Sequence, residues 1–157
     1  MVIIVDTREQ KNEHILSYFD KAGIKHVSRK LEYGDYSFYI PANEELDIPR
    51  DLYFDKEIIV ERKGSLEEIS GNFTTSRDRL EKEFTLAPER KVLLIEGDYG
   101  KLVSGNYNTQ YSNKAFWASI HVMWHRYDLP TFFMPDNRYS GCFIFGYFRY
   151  YLKEYLR

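Results

Sequence analysis

The sequence predicts an α/β domain with a central mixed β-sheet flanked by helices. Three observations predict it. Two short, continuously apolar runs, Val2–Val5 and Val92–Ile95, are each followed at once by charged residues, the pattern of strands buried on both faces of a sheet. Several other segments space their apolar residues at helical intervals. In order, the elements read strand, helix, strands, helix, strand, helix, strand, helix, an alternation that builds layered α/β folds.

The first strand ends on Asp6, Thr7, Arg8 and Glu9. Ile15, Leu16 and Phe19 then share one stripe of a helix that Gly23 closes. A strand over 25–31 and another over 36–40 follow, with Gly34 between them. Residues 41–56 are acidic, contain Pro41 and Pro49 and lack periodicity. They read as a long hairpin loop, either a substrate-facing flap or, as the favoured alternative, a solvated loop. Ile58–Val60 is a strand that runs into Glu61, Arg62 and Lys63. Ser65 starts a helix with Glu68 as its capping-box partner. Residues 71–76 interrupt that helix, and 77–86 is helical again, with Leu80 and Phe84 facing inward. Residues 100–112, rich in Gly, Asn, Ser and Tyr, read as a loop. Asn113 caps a helix reaching His125, 131–134 is a short strand, and an aromatic helix covers 139–156.

The 157 residues suit a single domain over 1–157. A net charge of −2 and a pI of about 6.1 exclude a global electrostatic pull on nucleic acid. Affinity for DNA must then rest on a local basic patch or on metal ions at an acidic site. The one cysteine, Cys142, excludes a disulfide framework or a multi-cysteine zinc site within the chain, and its setting, Cys-Phe-Ile-Phe, predicts a buried thiol. The N-terminal run lacks a basic leader region and a cleavage site, and no apolar stretch approaches transmembrane length. A cytoplasmic, soluble protein with no membrane partner is expected. Fourteen Tyr and eleven Phe crowd towards the C-terminal third, where such rings fill a core, build an interface or stack on bases.

Chemistry concentrates at three strand ends. In Glu61-Arg62-Lys63 the alternation of a strand points Glu61 and Lys63 one way and Arg62 the other. A carboxylate beside an ammonium suits phosphodiester hydrolysis. The carboxylate holds Mg²⁺ or Mn²⁺, and the lysine orients a water or stabilises developing negative charge. Taken alone, the triplet reads better as a surface ion pair at a strand end. Gly34-Asp35 supplies a second carboxylate after a residue that permits a tight bend. Asp6 and Arg8 share a face if the first strand extends through them, and Arg8 can clamp a phosphate. His14 and His26 stand alone. His121 and His125 are spaced for one helix face but lack the intervening glutamate of a zinc-hydrolase motif, so a structural role is expected.

Taken together, Val5-Asp6-Thr7-Arg8-Glu9, Gly34-Asp35-Tyr36 and Glu61-Arg62-Lys63 resemble, in order, the motifs of the XPF-type nuclease domain. That family is a branch of the restriction-endonuclease-like superfamily. The resemblance covers roughly residues 2–97 and extends to Leu94-Ile95-Glu96-Gly97. It implies a three-layer restriction-endonuclease-like domain that cuts DNA endonucleolytically with Mg²⁺ or Mn²⁺, at branched or flap structures in repair or recombination. It implies Asp35 and Glu61 as metal ligands, with the Arg62 carbonyl as a possible third, and Lys63 as the catalytic lysine. Asp6 and Arg8 would support metal and phosphate. Glu67, standing where the family has Asp, would help through water. Arg77 or Arg79 matches the arginine of the family's next helix; the local sequence departs there and leaves both open as DNA contacts. Family members also dimerise through this domain, so a homodimer or heterodimer is expected, or alternatively a non-catalytic DNA-binding or scaffold subunit. Residues 1–157 are expected to hold no helix-hairpin-helix domain, so the preference for branched DNA would have another origin.

Overall fold

The structure, a computed structural model, describes residues 1–157. Its strands are β1 (Val2–Val5), β2 (His26–Ser28), β3 (Tyr36–Ile40), β4 (Leu52–Tyr53), β5 (Ile58–Lys63), β6 (Arg90–Ile95) and β7 (Thr131–Phe133). Its helices are α1 (Glu13–Lys21), α2 (Leu66–Thr75), α3 (Arg77–Leu86), α4 (Tyr99–Ser104), α5 (Asn113–Tyr127) and α6 (Ser140–Tyr155). The strands form one mixed sheet in the order β2-β1-β3-β5-β6-β7, with β4 paired to the far end of β3. β3 runs antiparallel to both its neighbours, whereas β1 with β2, and β5, β6 and β7, pair in parallel. The C-terminal ends of β1, β5 and β6 therefore meet the N-terminal end of β3 at one edge of the sheet. In open α/β sheets this edge is where ligands bind.

Period-two alternation divides the core. Ile3, Val5, Tyr36, Phe38, Ile58, Val60, Val92 and Leu94 face α1 and α6, where Ile15, Phe19, Ile144 and Phe148 close the layer. Leu93 and Ile95 face the opposite layer, built by Leu66, Ile69 and Phe73 of α2, Leu80 and Phe84 of α3, and Phe116, Ile120 and Met123 of α5. The sheet is thus covered on both faces, as the continuous apolar strands require. Gly23 closes α1 with a φ of +69°, and the Ile24 N–H returns to the Phe19 carbonyl at 2.8 Å.

Several elements differ from expectation. The helix from Leu66 continues through Gly71 to Thr75 and breaks only at Ser76, because Phe73 is buried in the core and its packing outweighs the weak propensity of Gly-Asn. Residues 99–104 form α4, capped by Asp98, whose side chain accepts from the Gly100 N–H at 2.6 Å. Ser112, not Asn113, caps α5, accepting from the Ala115 N–H at 3.1 Å. Cys142 is exposed on α6 rather than buried; its neighbours Gly141 and Ile144 take the inward positions. The 41–56 segment is a hairpin loop carrying the short strand β4, and Phe54 pins it to the core by stacking on Phe38 at 4.6 Å. It leaves β3 at the end opposite Asp35, a strand length of roughly 17 Å away, so it does not form a flap over the motif edge. No helix is long and apolar enough to cross a membrane.

Candidate active site

Asp35 is the joint between three strands. Its N–H donates to the Val60 carbonyl at 2.8 Å, and its carbonyl accepts from the Asp6 N–H at 2.9 Å. Its Oδ2 accepts from the Arg62 N–H at 2.7 Å. β3 and β5 pair through only Tyr36 and Val60, so beyond this point the strands diverge and the Asp35 side chain replaces backbone as acceptor for β5. This divergence opens a cleft over the sheet edge. Gly34 makes the approach possible: φ is +77°, and a Cβ there would lie 2.8 Å from Ile59. Gly34→Ala is therefore expected to cost about 1–3 kcal/mol through both strain and contact. A thermal melt unchanged from wild type would contradict that role.

Glu61 and Lys63 point to the α2–α3 side of the sheet and lie 3.5 Å apart. Asp35, Glu61 and Arg8 line both depressions at this edge. One is a cavity of about 170 Å³ that also includes Glu83 and Phe84 of α3. The other is an open cleft of about 780 Å³ running from α1 to the start of α2, with no hydrophobic residue among its walls. Burial, together with Glu61 and Glu9, pushes the Asp35 carboxyl well above the usual carboxylate range. Burial pushes Glu61 up to about 7 against the pull of Lys63, with Glu83 reinforcing the rise. These two acids are short of positive charge, which is the electrostatic condition a divalent cation relieves. No group of three or more His, Cys, Asp or Glu side chains converges here. Two carboxylates and open space suit Mg²⁺, which keeps several waters and uses one or two protein carboxylates.

Arg62 points to the other face and is buried. Its guanidinium donates to Glu9 at 2.8 Å, to the Gln10 carbonyl at 2.7 Å and to Glu96. Burial opposes its charge, but the Glu9 hydrogen bond and the surrounding carboxylates outweigh that and raise its pKa. Tyr36 donates to Glu9 at 2.5 Å, and the Glu96 Oε2 accepts from Ser140 at 2.7 Å. The middle residue of the triplet thus anchors β5 to the β1 and β6 ends and to α6.

Asp6 has both oxygens committed. Arg8 Nε donates at 2.8 Å to Oδ2, and the Leu31 N–H donates at 2.8 Å to Oδ1. Burial raises the Asp6 pKa, but Arg8 and Leu31 outweigh it and the net shift is downward. Arg8, also tied to the Leu31 carbonyl at 2.8 Å, is held at the cleft with much of its side chain exposed. Glu67 lies in a neighbouring groove with Asp98, Lys101 and Tyr107, away from Asp35 and Glu61. The glutamate of α2 that reaches the cleft is Glu68, which accepts from the Gly64 N–H at 2.7 Å while its own N–H donates to Ser65. Arg77 is turned towards α5, donating to Ser119 at 3.0 Å. Arg79 is exposed and pairs at 3.5 Å with Glu83, a wall of the smaller cavity.

Sequence reasoning missed Glu83, Glu96 and, above all, His14. His14 does not stand alone: its Nε2 lies 2.6 Å from Glu96. Their separation of 82 positions left no local pattern to read. His26 meets Asp20 at 2.8 Å. His121 meets Tyr99 at 3.1 Å and packs on Trp117, in keeping with a structural role.

A mixed sheet covered by helices on both faces, with carboxylates and a lysine gathered at the edge where two strands part, makes this a three-layer α/β domain with a polar cleft at one sheet edge. Solved structures that share the fold include two of the same archaeal protein. XPF from Aeropyrum pernix matches with a TM-score of 0.63 and 19% identity over 92% of this chain and 61% of that one. XPF from Aeropyrum pernix in complex with DNA matches with a TM-score of 0.69 and 19% identity over 98% and 66%. The chain thus spans less than two thirds of the length of the first and about two thirds of the second. No curated protein sequence shows significant similarity. The ERCC4 domain model matches residues 5–144, and the chain belongs to the ERCC4 domain family.

Proposed function

We propose that this protein is a divalent-metal-dependent DNA endonuclease, acting at branched or flap DNA. The observation that carries the reading is the pairing of Asp35 with Glu61, both pushed towards protonation, beside Lys63 in an open polar cleft. Asp35 and Glu61 hold Mg²⁺ or Mn²⁺, with the Arg62 carbonyl within the same strand end. The bound cation supplies charge neutralisation and water activation at the phosphate. Lys63 aligns the attacking water or stabilises charge on the phosphate oxygens. Asp6 acts by fixing Arg8, whose guanidinium grips a phosphate. Between the two arginines of α3, Arg79 is the DNA contact and Arg77 a packing residue, since Arg79 is 82% exposed and paired with the cavity wall Glu83 whereas Arg77 is held to Ser119 and Glu81. Glu67 contributes at most through solvent, and Glu68 takes the nearer position.

DNA binding is supported by the family and by the fold shared with a DNA-bound XPF. A dimer through this domain is supported by the exposed aromatic residues Phe132, Tyr150 and Tyr155 on β7 and α6. The test is cleavage of labelled flap, fork, Holliday-junction and linear duplex DNA with Mg²⁺ or Mn²⁺. Metal-dependent internal cuts that vanish in Asp35→Ala are expected. No cleavage of any substrate, or cleavage undiminished by the substitution, would sink the proposal, and a requirement for a free end would make the protein an exonuclease.

A further inference from the structure

We infer that His14, oriented by the buried carboxylate of Glu96, contacts a phosphodiester of the bound DNA strand in the cleft. The inference rests on the reading of the cleft as a DNA-cleaving site. His14 lies in the first turn of α1 and lines the same cleft as Asp35, Glu61 and Lys63. Its Nε2 is 2.6 Å from Glu96 Oε2. A carboxylate only accepts, so Nε2 donates and the ring orientation is set, leaving Nδ1 with no partner in the protein.

Glu96 does not need His14 to satisfy its burial. Arg62 serves Oε1 and Ser140 serves Oε2, with 3% of the side chain exposed. The His14–Glu96 bond therefore acts outward: a fixed carboxylate aims an imidazole whose side chain is 24% exposed at the cleft wall. The first turn of α1 is also left uncapped. Asn12 turns its amide to the Tyr36 hydroxyl at 3.3 Å and makes no side-chain cap bond to the helix. Unpaired N–H groups at a helix start favour an anion. Lys11, whose φ of +52° holds it in the left-handed region, lines the same rim. For Nδ1 to donate to a phosphodiester oxygen while Nε2 donates to Glu96, each ring nitrogen must carry a proton, and a phosphate anion beside the ring favours that form. Besides Arg8, Asp35, Glu61 and Lys63, the charged groups lining the cleft with His14 are Glu9, Lys11, Arg62, Glu68 and Glu96.

The test is fluorescence anisotropy of a labelled flap duplex at about pH 6, with Ca²⁺ to permit binding without turnover, over about 50–200 mM KCl. His14→Gln is expected to weaken binding about 5–10-fold at the low-salt end and to make the log–log salt slope shallower by about 1. His14→Lys, which restores a cation, is expected to recover the slope. A purely structural histidine would leave the slope unchanged. If the wild type cleaves DNA and His14→Gln matches it in affinity and slope, this inference alone is overturned. Failure of His14→Lys to recover the slope, with a lowered melting temperature in both variants, marks a packing role and also overturns it. A wild type that neither binds nor cleaves DNA overturns the reading of the site, and this inference with it.

Discussion

Asp35→Asn is expected to lose metal-dependent cleavage by about 10³-fold or more while melting at a higher temperature than the wild type without metal. Asn keeps an oxygen that can accept from the Arg62 N–H, so the strand joint survives and only the charge is lost. That charge is costly without a cation. Burial, Glu61 and Glu9 raise the Asp35 pKa, and burial lifts Glu61 from 4.5 to about 7. A carboxyl group whose folded pKa is raised holds its proton in the native state after the unfolded chain has released it. Stability therefore falls as pH rises from the unfolded value towards the folded one. For Glu61 the window runs from about 4.5 to about 7. Removing one charge of the pair should return on the order of 1–3 kcal/mol near pH 7, a rise of about 2–12 °C in Tm. Scanning calorimetry in chelator at two pH values reads the effect. A variant less stable than wild type at pH 7.5, or a wild type that gains stability between pH 5 and 7 through this pair, would contradict it.

Arg62→Met carries the largest expected loss of stability. The guanidinium lies between Glu9 and Glu96, with side-chain exposures of 5%, 8% and 3% for Arg62, Glu9 and Glu96. Methionine fills part of the volume but leaves two buried carboxylates facing one another and the Gln10 carbonyl without its donor. Breaking a buried ion pair by removing one partner costs about 3–5 kcal/mol. Urea unfolding should show that loss, and Glu9→Gln in the same chain should recover part of it, because a neutral amide there carries no uncompensated charge. An Arg62→Met protein within about 1 kcal/mol of wild type would mean that the clamp is not what fixes β5.

The sheet was legible because its strands obey simple rules. Val2–Val5 and Val92–Ile95 could be placed from apolar continuity, and the opposite directions of Glu61 and Arg62 followed from alternation alone. The gathering of Asp6, Asp35 and Glu61 at one edge was legible only from the order of the motifs. Its physical cause, an antiparallel β3 between strands running the other way, emerges from the pairing. Elements set by tertiary packing were less readable. Gly71 breaks no helix because Phe73 is held in the core, and Leu52-Tyr53 is too short for periodicity. Sequence spacing does not separate Glu67 from Glu68: the capping bonds of Ser65 and Gly64 bring Glu68 to the cleft wall, while Glu67 lines the neighbouring groove. His14 and Glu96 could not be paired from sequence, since α1 and the end of β6 meet only when the sheet is assembled.

Everything proposed for the cleft depends on Asp35 and Glu61 together holding a divalent cation beside Lys63. Calorimetric titration of Mn²⁺ into the wild type and Asp35→Asn, at a pH above the raised pKa of Glu61, tests this most directly. Saturable binding in the wild type that is lost in the variant is the predicted result. Equal binding by both proteins would place the cation elsewhere. No binding by a wild type that still takes up DNA would contradict the claim and leave a non-catalytic DNA-binding subunit.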